Sequence, residues 1–132
     1  MDPENLRAVP LFASMAEHDL KRIATFATED SVPAGATLMR EGDYSNEMLA
    51  IESGSATVIQ DGRTVATLGP GDVVGERGVL TRDLRIASVV ASSPMRLIRL
   101  TNWDVKRLPP ETRERLAELV RSRQSAAASD GG

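Results

Sequence analysis

The sequence predicts a mainly β domain with flanking helices: an eight-stranded antiparallel β-roll, or jelly roll, between an N-terminal helical segment and C-terminal helices. Three observations predict it. Residues 30–100 hold short runs rich in Val, Ile, Leu and Thr, punctuated by Gly and Pro, which is the spacing of strands and turns in a small antiparallel barrel. On either side of that region the apolar residues recur every three or four positions, as on a helix. Finally, 132 residues with 41% hydrophobic content and no Cys suit one core that needs no metal or disulfide to hold it.

The helical segment spans 5–27. Leu6, Val9, Leu11, Phe12, Met15, Leu20, Ile23, Ala24 and Phe26 place a short helix before Pro10 and a longer one after it, opened by Ser14 or Glu17. Asp19 then lies near the positive end of the second helix, where a carboxylate is favoured. In the β-roll (30–100), strands are predicted over 31–32, 37–39, 48–52, 55–59, 64–68, 72–74, 86–90 and 95–100. Pro33-Ala34-Gly35, Glu41-Gly42-Asp43, Ser53-Gly54, Asp61-Gly62, Gly69-Pro70-Gly71 and Ser92-Ser93-Pro94 mark the turns. Of these, Asp61-Gly62 is the strongest hairpin signal. The C-terminal helices span 102–124, short over 103–108, interrupted at Pro109-Pro110 and resumed over 111–124. Leu116, Leu119 and Val120 form one apolar stripe that docks on the barrel, and Trp103 is expected to pack at the barrel-to-helix junction. Residues 1–124 make the domain. The small, polar stretch 125–132 is expected to be a disordered tail or linker.

Composition excludes several functions. Sixteen Lys and Arg against 19 Asp and Glu give a net charge of −3, so bulk electrostatics does not draw this chain onto a phosphate backbone. Trp103, Tyr44, Phe12 and Phe26 are too few and too scattered to stack bases. The sequence therefore predicts no nucleic-acid partner for this chain alone. One histidine, His18, and no Cys leave no metal cluster, no thiol nucleophile and no Ser/His/Asp triad; no catalytic residue, metal or cofactor is expected, and the chain does not read as an enzyme. His18 reads as a solvated helix residue. No run approaches a membrane span, and Met1-Asp2-Pro3-Glu4-Asn5 lacks the layout of a signal peptide, so a cytoplasmic location is expected.

Chemistry concentrates between Leu68 and Val90. Gly75 and Gly78 bracket Glu76 and Arg77; glycines there let the backbone approach a ligand and leave N–H groups free to point at an anion. Arg85 carries a planar fork that matches phosphate oxygens. Glu76, nine residues earlier, is an acceptor suited to a sugar hydroxyl. The residues alone leave two readings open: an anion site, or an exposed loop in which Arg85 pairs with Asp83 or Glu76 and Glu76 balances Arg77 or Arg82.

At these residues the chain resembles the cyclic nucleotide-binding domain family, the sensor module of catabolite activator proteins, regulatory subunits of cyclic AMP-dependent kinase and cyclic nucleotide-gated channels. The resemblance covers residues 9–119 and includes Val9-Pro10-Leu11-Phe12, the stretch 32–43, the stretch 48–54, Leu68-Gly69-Pro70-Gly71-Asp72 and glycines at 35, 42, 54, 71 and 75. It implies that residues 75–87 form the phosphate-binding cassette of a β-roll. Gly75 would approach the ribose and Glu76 accept its 2′-hydroxyl. Arg85 would pair with the cyclic phosphate, with backbone donors near Arg77, Gly78 and Ile86 and the cassette closing at Ala87.

Departures from the family pattern are Val74 for Phe, Arg77 and Gly78 for an apolar residue and Ala, Leu84 for Pro, and Ile86 for a small or hydroxyl residue. Loss of the hydroxyl at 86 favours cyclic AMP over cyclic GMP as the ligand. The resemblance implies a sensor that moves its C-terminal helices when ligand binds, and it makes the stripe Leu116, Leu119 and Val120 a candidate lid over the base as the alternative to simple docking on the barrel. The effector would be a domain or protein outside these residues, and pairing of two chains into a homodimer stays open. The alternative is a degenerate, ligand-free member of the fold acting as an interaction or oligomerisation module.

Overall fold

The computed structural model describes residues 1–40, 47–74 and 87–131. Its elements, in chain order, are α1 (Pro3–Arg7), a 3-10 turn (Pro10–Phe12), α2 (Glu17–Ala24), β1 (Thr28–Val32), β2 (Thr37–Met39), β3 (Glu47–Ser53), β4 (Ala56–Gln60), β5 (Arg63–Leu68), β6 (Val73–Val74), β7 (Ser88–Ala91), β8 (Met95–Thr101), α3 (Asn102–Arg107) and α4 (Pro110–Gly131). The strands form two antiparallel sheets of four, ordered β1-β8-β3-β6 and β2-β7-β4-β5. This is the predicted β-roll with its flanking helices.

Strand β3 shows how the layers arise from alternation. Successive side chains on a strand point to opposite faces. Met48 and Ala50 join Ile98 and Leu100 of β8 in a core under the helices, whereas Leu49 and Ile51 join Met95 and Leu97 in a core between the sheets. Both faces of the first sheet are thus covered, and its central strands read as nearly unbroken apolar runs. The second sheet turns its other face to water, and residues 63–67 of its edge strand β5 are all exposed. Arg99 of β8 ties its neighbours together, donating to Asp30 of β1 (2.9 Å) and Glu47 of β3 (2.5 Å).

Two turns follow directly from residue chemistry. Asp61 (φ 52°) and Gly62 (φ 77°) both adopt the left-handed region, the demand of a two-residue hairpin whose twist matches its strands, and Gln60 pairs with Arg63 across it. At Gly54 (φ +91°) a Cβ would lie 2.3 Å from the Pro94 carbonyl oxygen, so only glycine lets the β3–β4 and β7–β8 turns meet. Ser93 Oγ accepts from the Ser55 amide nearby (3.0 Å).

The helices pack on the outer face of the first sheet. Leu6, Val9, Phe12, Leu20 and Ile23 are fully buried there with Leu116 and Val120 of α4. Helix α2 begins at Glu17, one of the two predicted starts, without a side-chain cap at Ala16. Thr101 and Asp104 close a capping box on α3. Two expectations need correction. Trp103 is not packed at the junction but 70% exposed, because Val105 and Leu108 take the inward positions of that segment; the Lys106 ammonium sits 5.5 Å from the Trp103 ring centre. The backbone of α4 also continues past 124 to Gly131, through a stretch expected to lack structure. Ala126, Ala127 and Ala128 are the strongest helix formers and favour that continuation.

Candidate functional site

Gly75, Glu76, Arg77, Gly78, Arg85 and Ile86 lie outside the described residues, as do the departures at Leu84 and Tyr44 among the aromatics. Ala87 is described and is half-buried immediately before β7. What the structure defines is the frame from which the segment 75–86 departs and to which it returns.

The departure point is β6, the edge strand of the first sheet, with Leu49 opposite Val74 and Ala50 opposite Val73. Val74, standing where the family has Phe, is buried in the core between the sheets. The approach to β6 is pinned by the Gly69-Pro70-Gly71 turn. There the Gly69 amide donates to the Asp72 carboxylate (2.8 Å), the Gly71 amide to the Ile51 carbonyl (3.0 Å), and the Ile51 amide to the Asp72 carbonyl (3.0 Å). The return point is β7, an inner strand of the second sheet between β2 and β4. Val89 and Ala91 are buried, and the Ala91 carbonyl and amide bond Gly35 and Ala36 across the β1–β2 turn (2.7 and 2.8 Å). The segment therefore links the two sheets, with both of its ends fixed by a buried core.

The helices lie against the outer face of the first sheet. Helix α4 touches β6, and Val73 packs against the core under the helices. Leu116 and Val120 are fully buried and Leu119 half-buried in that core, so the stripe docks as predicted. It docks on α2 and the first sheet's outer face.

One polar cluster in the helical layer was not singled out by sequence. Asp19, expected merely near a helix start, is fully buried. It accepts from Nε and Nη2 of Arg115 and from Thr112 Oγ1 (2.5 Å). The Arg115 guanidinium, with help from Thr112, holds the Asp19 carboxyl at about 2, against the opposing effect of burial. His18 is 61% exposed, as predicted, with Nε2 3.5 Å from Asp19. Its only sequence signal is an acid and an arginine ninety-odd residues apart, which becomes visible once the two helices are packed. On the sheet's outer surface, burial and the neighbouring Glu29 carboxylate push the Glu52 carboxyl up, while Arg96 opposes them.

Comparison with known proteins gives a consistent picture. Residues 29–109, more than half of the chain, match the family model described as "Cyclic nucleotide-binding domain". The cAMP-dependent protein kinase regulatory subunit of Aspergillus niger is 33% identical over 86% of this chain, and a cyclic nucleotide-gated potassium channel of Mesorhizobium japonicum 32% identical over 92%. The chain spans only 28% and 35% of those two proteins. The crystal structure of a cyclic nucleotide-binding domain from Methylobacillus flagellatus superposes with a TM-score of 0.87 at 21% identity, covering 98% of this chain and 81% of that one. That likeness concerns the fold. Among the described residues, no helix is long and apolar enough to cross a membrane.

Proposed function

The chain belongs to the cyclic nucleotide-binding domain family, and from that premise we propose that it is a cytoplasmic sensor of cyclic AMP that shifts its C-terminal helices when nucleotide binds. Residues 75–87 form its binding cassette in this reading. Arg85 neutralises the cyclic phosphate, Glu76 accepts the ribose 2′-hydroxyl, and backbone amides from 77, 78 and 86 complete the anion site. Ile86 supplies no hydroxyl to a guanine, which favours adenine. The reading needs no metal or cofactor, and the work is binding rather than catalysis.

The observation that carries the proposal is the frame. The segment that carries Glu76 and Arg85 in the sequence follows β6 of the first sheet and precedes β7, an inner strand of the second, and α4 touches β6. Ligand affinity that differs between two placements of α4 would shift their populations, and an effector joined to this chain, or bound by it, would read the shift. Gly78, Leu84 and Ile86 favour the second reading, a ligand-free interaction or dimerisation module of the same fold. Isothermal titration of the purified chain with cyclic AMP and with cyclic GMP separates the two. Saturable binding at one site per chain, tighter for cyclic AMP, is expected; no heat with either nucleotide from folded, ligand-free protein would establish the second reading.

A further inference from the structure

A carboxylate buried without a charged partner is so unfavourable that it protonates or forces the structure apart. Asp19 is fully buried yet held ionised, and among the described residues the groups that compensate it come from two helices, α2 and α4. Arg115 offers two guanidinium N–H groups and Thr112 its hydroxyl. Arg22 donates from Nη1 to Thr112 Oγ1 (3.0 Å) and to Glu111 (3.1 Å), 3.8 Å from Asp19 itself. A planar bidentate pair of this kind is sensitive to orientation, unlike the Leu20, Ile23, Leu116 and Val120 contacts around it. Apolar contacts tolerate a small slide of one helix on another; the Asp19 pair does not, and loses its compensation abruptly.

We propose that Asp19, Thr112 and Arg115 form a clasp that fixes the placement of α4 against α2 and thereby sets the affinity of the chain for nucleotide. The route is short: α4 touches β6, and β6 ends at Val74, next to the cassette segment. The affinity half of this inference rests on the sensor reading above, whereas the placement of α4 does not. Asp19, Thr112 and Arg115 are positioning residues, remote in the chain from the cassette.

The absence of Cys permits a direct test. Cysteines placed by Thr64→Cys on exposed β5 and Glu118→Cys on the exposed side of α4 take spin labels, and their distance distribution is measured in the parent, in Asp19→Asn and in half-exposed Arg115→Gln, each with its cyclic AMP dissociation constant. Arg115→Gln keeps the test alive if Asp19→Asn does not fold. The expected result is a narrow distribution in the parent that broadens in both variants, with the dissociation constant changed at least about fivefold. A rise in affinity would mean that the nucleotide displaces α4, a fall that it recruits it. Unchanged distributions overturn the clasp. Broadened distributions with dissociation constants within about twofold of the parent reduce it to a structural contact and overturn the affinity claim. If the parent binds neither nucleotide, the sensor reading falls and the affinity claim with it, while the distances still decide whether the clasp holds α4.

Discussion

The core between the two sheets and the core under the helices share β3 and β8 but are built differently. Among the described residues the first is apolar, ten buried side chains between Leu38 and Leu97 locked by sheet hydrogen bonds on both sides. The second joins helices to a sheet through side chains alone and carries a buried charge, Asp19, at its helix–helix contact. Backbone ladders resist sliding, while side-chain contacts between helices allow it. In the proposed sensor, this difference would leave the sheets to hold the cassette and the helices to report on it.

The largest effects should come from truncating one residue in each core. Leu97 and Leu116 are both fully buried, and each change to Ala should lower unfolding free energy by about 2–5 kcal/mol, measured by urea denaturation. The comparison sharpens in their native-state hydrogen exchange. Leu116→Ala should expose the α2 and α4 amides while the β3–β8 ladder stays protected, whereas Leu97→Ala should weaken the ladder itself. Equal loss of protection everywhere in both variants would mean that the two cores unfold as one.

Acid should reach the helical core through its charge. A carboxyl lowered from 3.8 to about 2 on folding binds fewer protons in the native state, so its stabilisation is full above pH 4 and is lost as pH falls through 2. Its size is about 2 kcal/mol. Asp19→Asn should therefore lower stability at pH 7 and flatten the pH dependence between 4 and 2 in denaturation curves, and an unchanged slope there would remove Asp19 from the account.

The smallest effect lies farthest from both cores. Gly62 has φ +77° and open space where a Cβ would sit, so Gly62→Ala should cost only the left-handed conformation, about 1–2 kcal/mol. Thermal unfolding would show it, and the dissociation constant for nucleotide should not move.

How far the sequence revealed this molecule differs between the same two regions. Periods of two and turn glycines are local signals, so β2 was predicted at its observed bounds and the Asp61-Gly62 hairpin at its observed turn. Strand ends elsewhere shifted: β1 begins at Thr28 rather than 31, since Thr28, Glu29 and Asp30 are polar and earn their place only by pairing with β8. The helical layer was less legible. Trp103 looked like packing because a large aromatic normally is, yet the phase of α3 turns it to solvent. Asp19 reads in the sequence only as a carboxylate near a helix start, since nothing local to it encodes Arg115 as a partner on a helix at the other end of the chain. For the cassette, residue spacing and family resemblance supplied Glu76 and Arg85, and the sheets supply the two anchors at Val74 and Ser88.

The central claim is that Arg85 holds the phosphate of a cyclic nucleotide, and its most direct measurement is cyclic AMP titration of Arg85→Ala beside the parent. Loss of a bidentate charge-assisted contact predicts affinity weakened by about a hundredfold or more, with thermal stability retained. Equal binding by the two proteins would contradict the account.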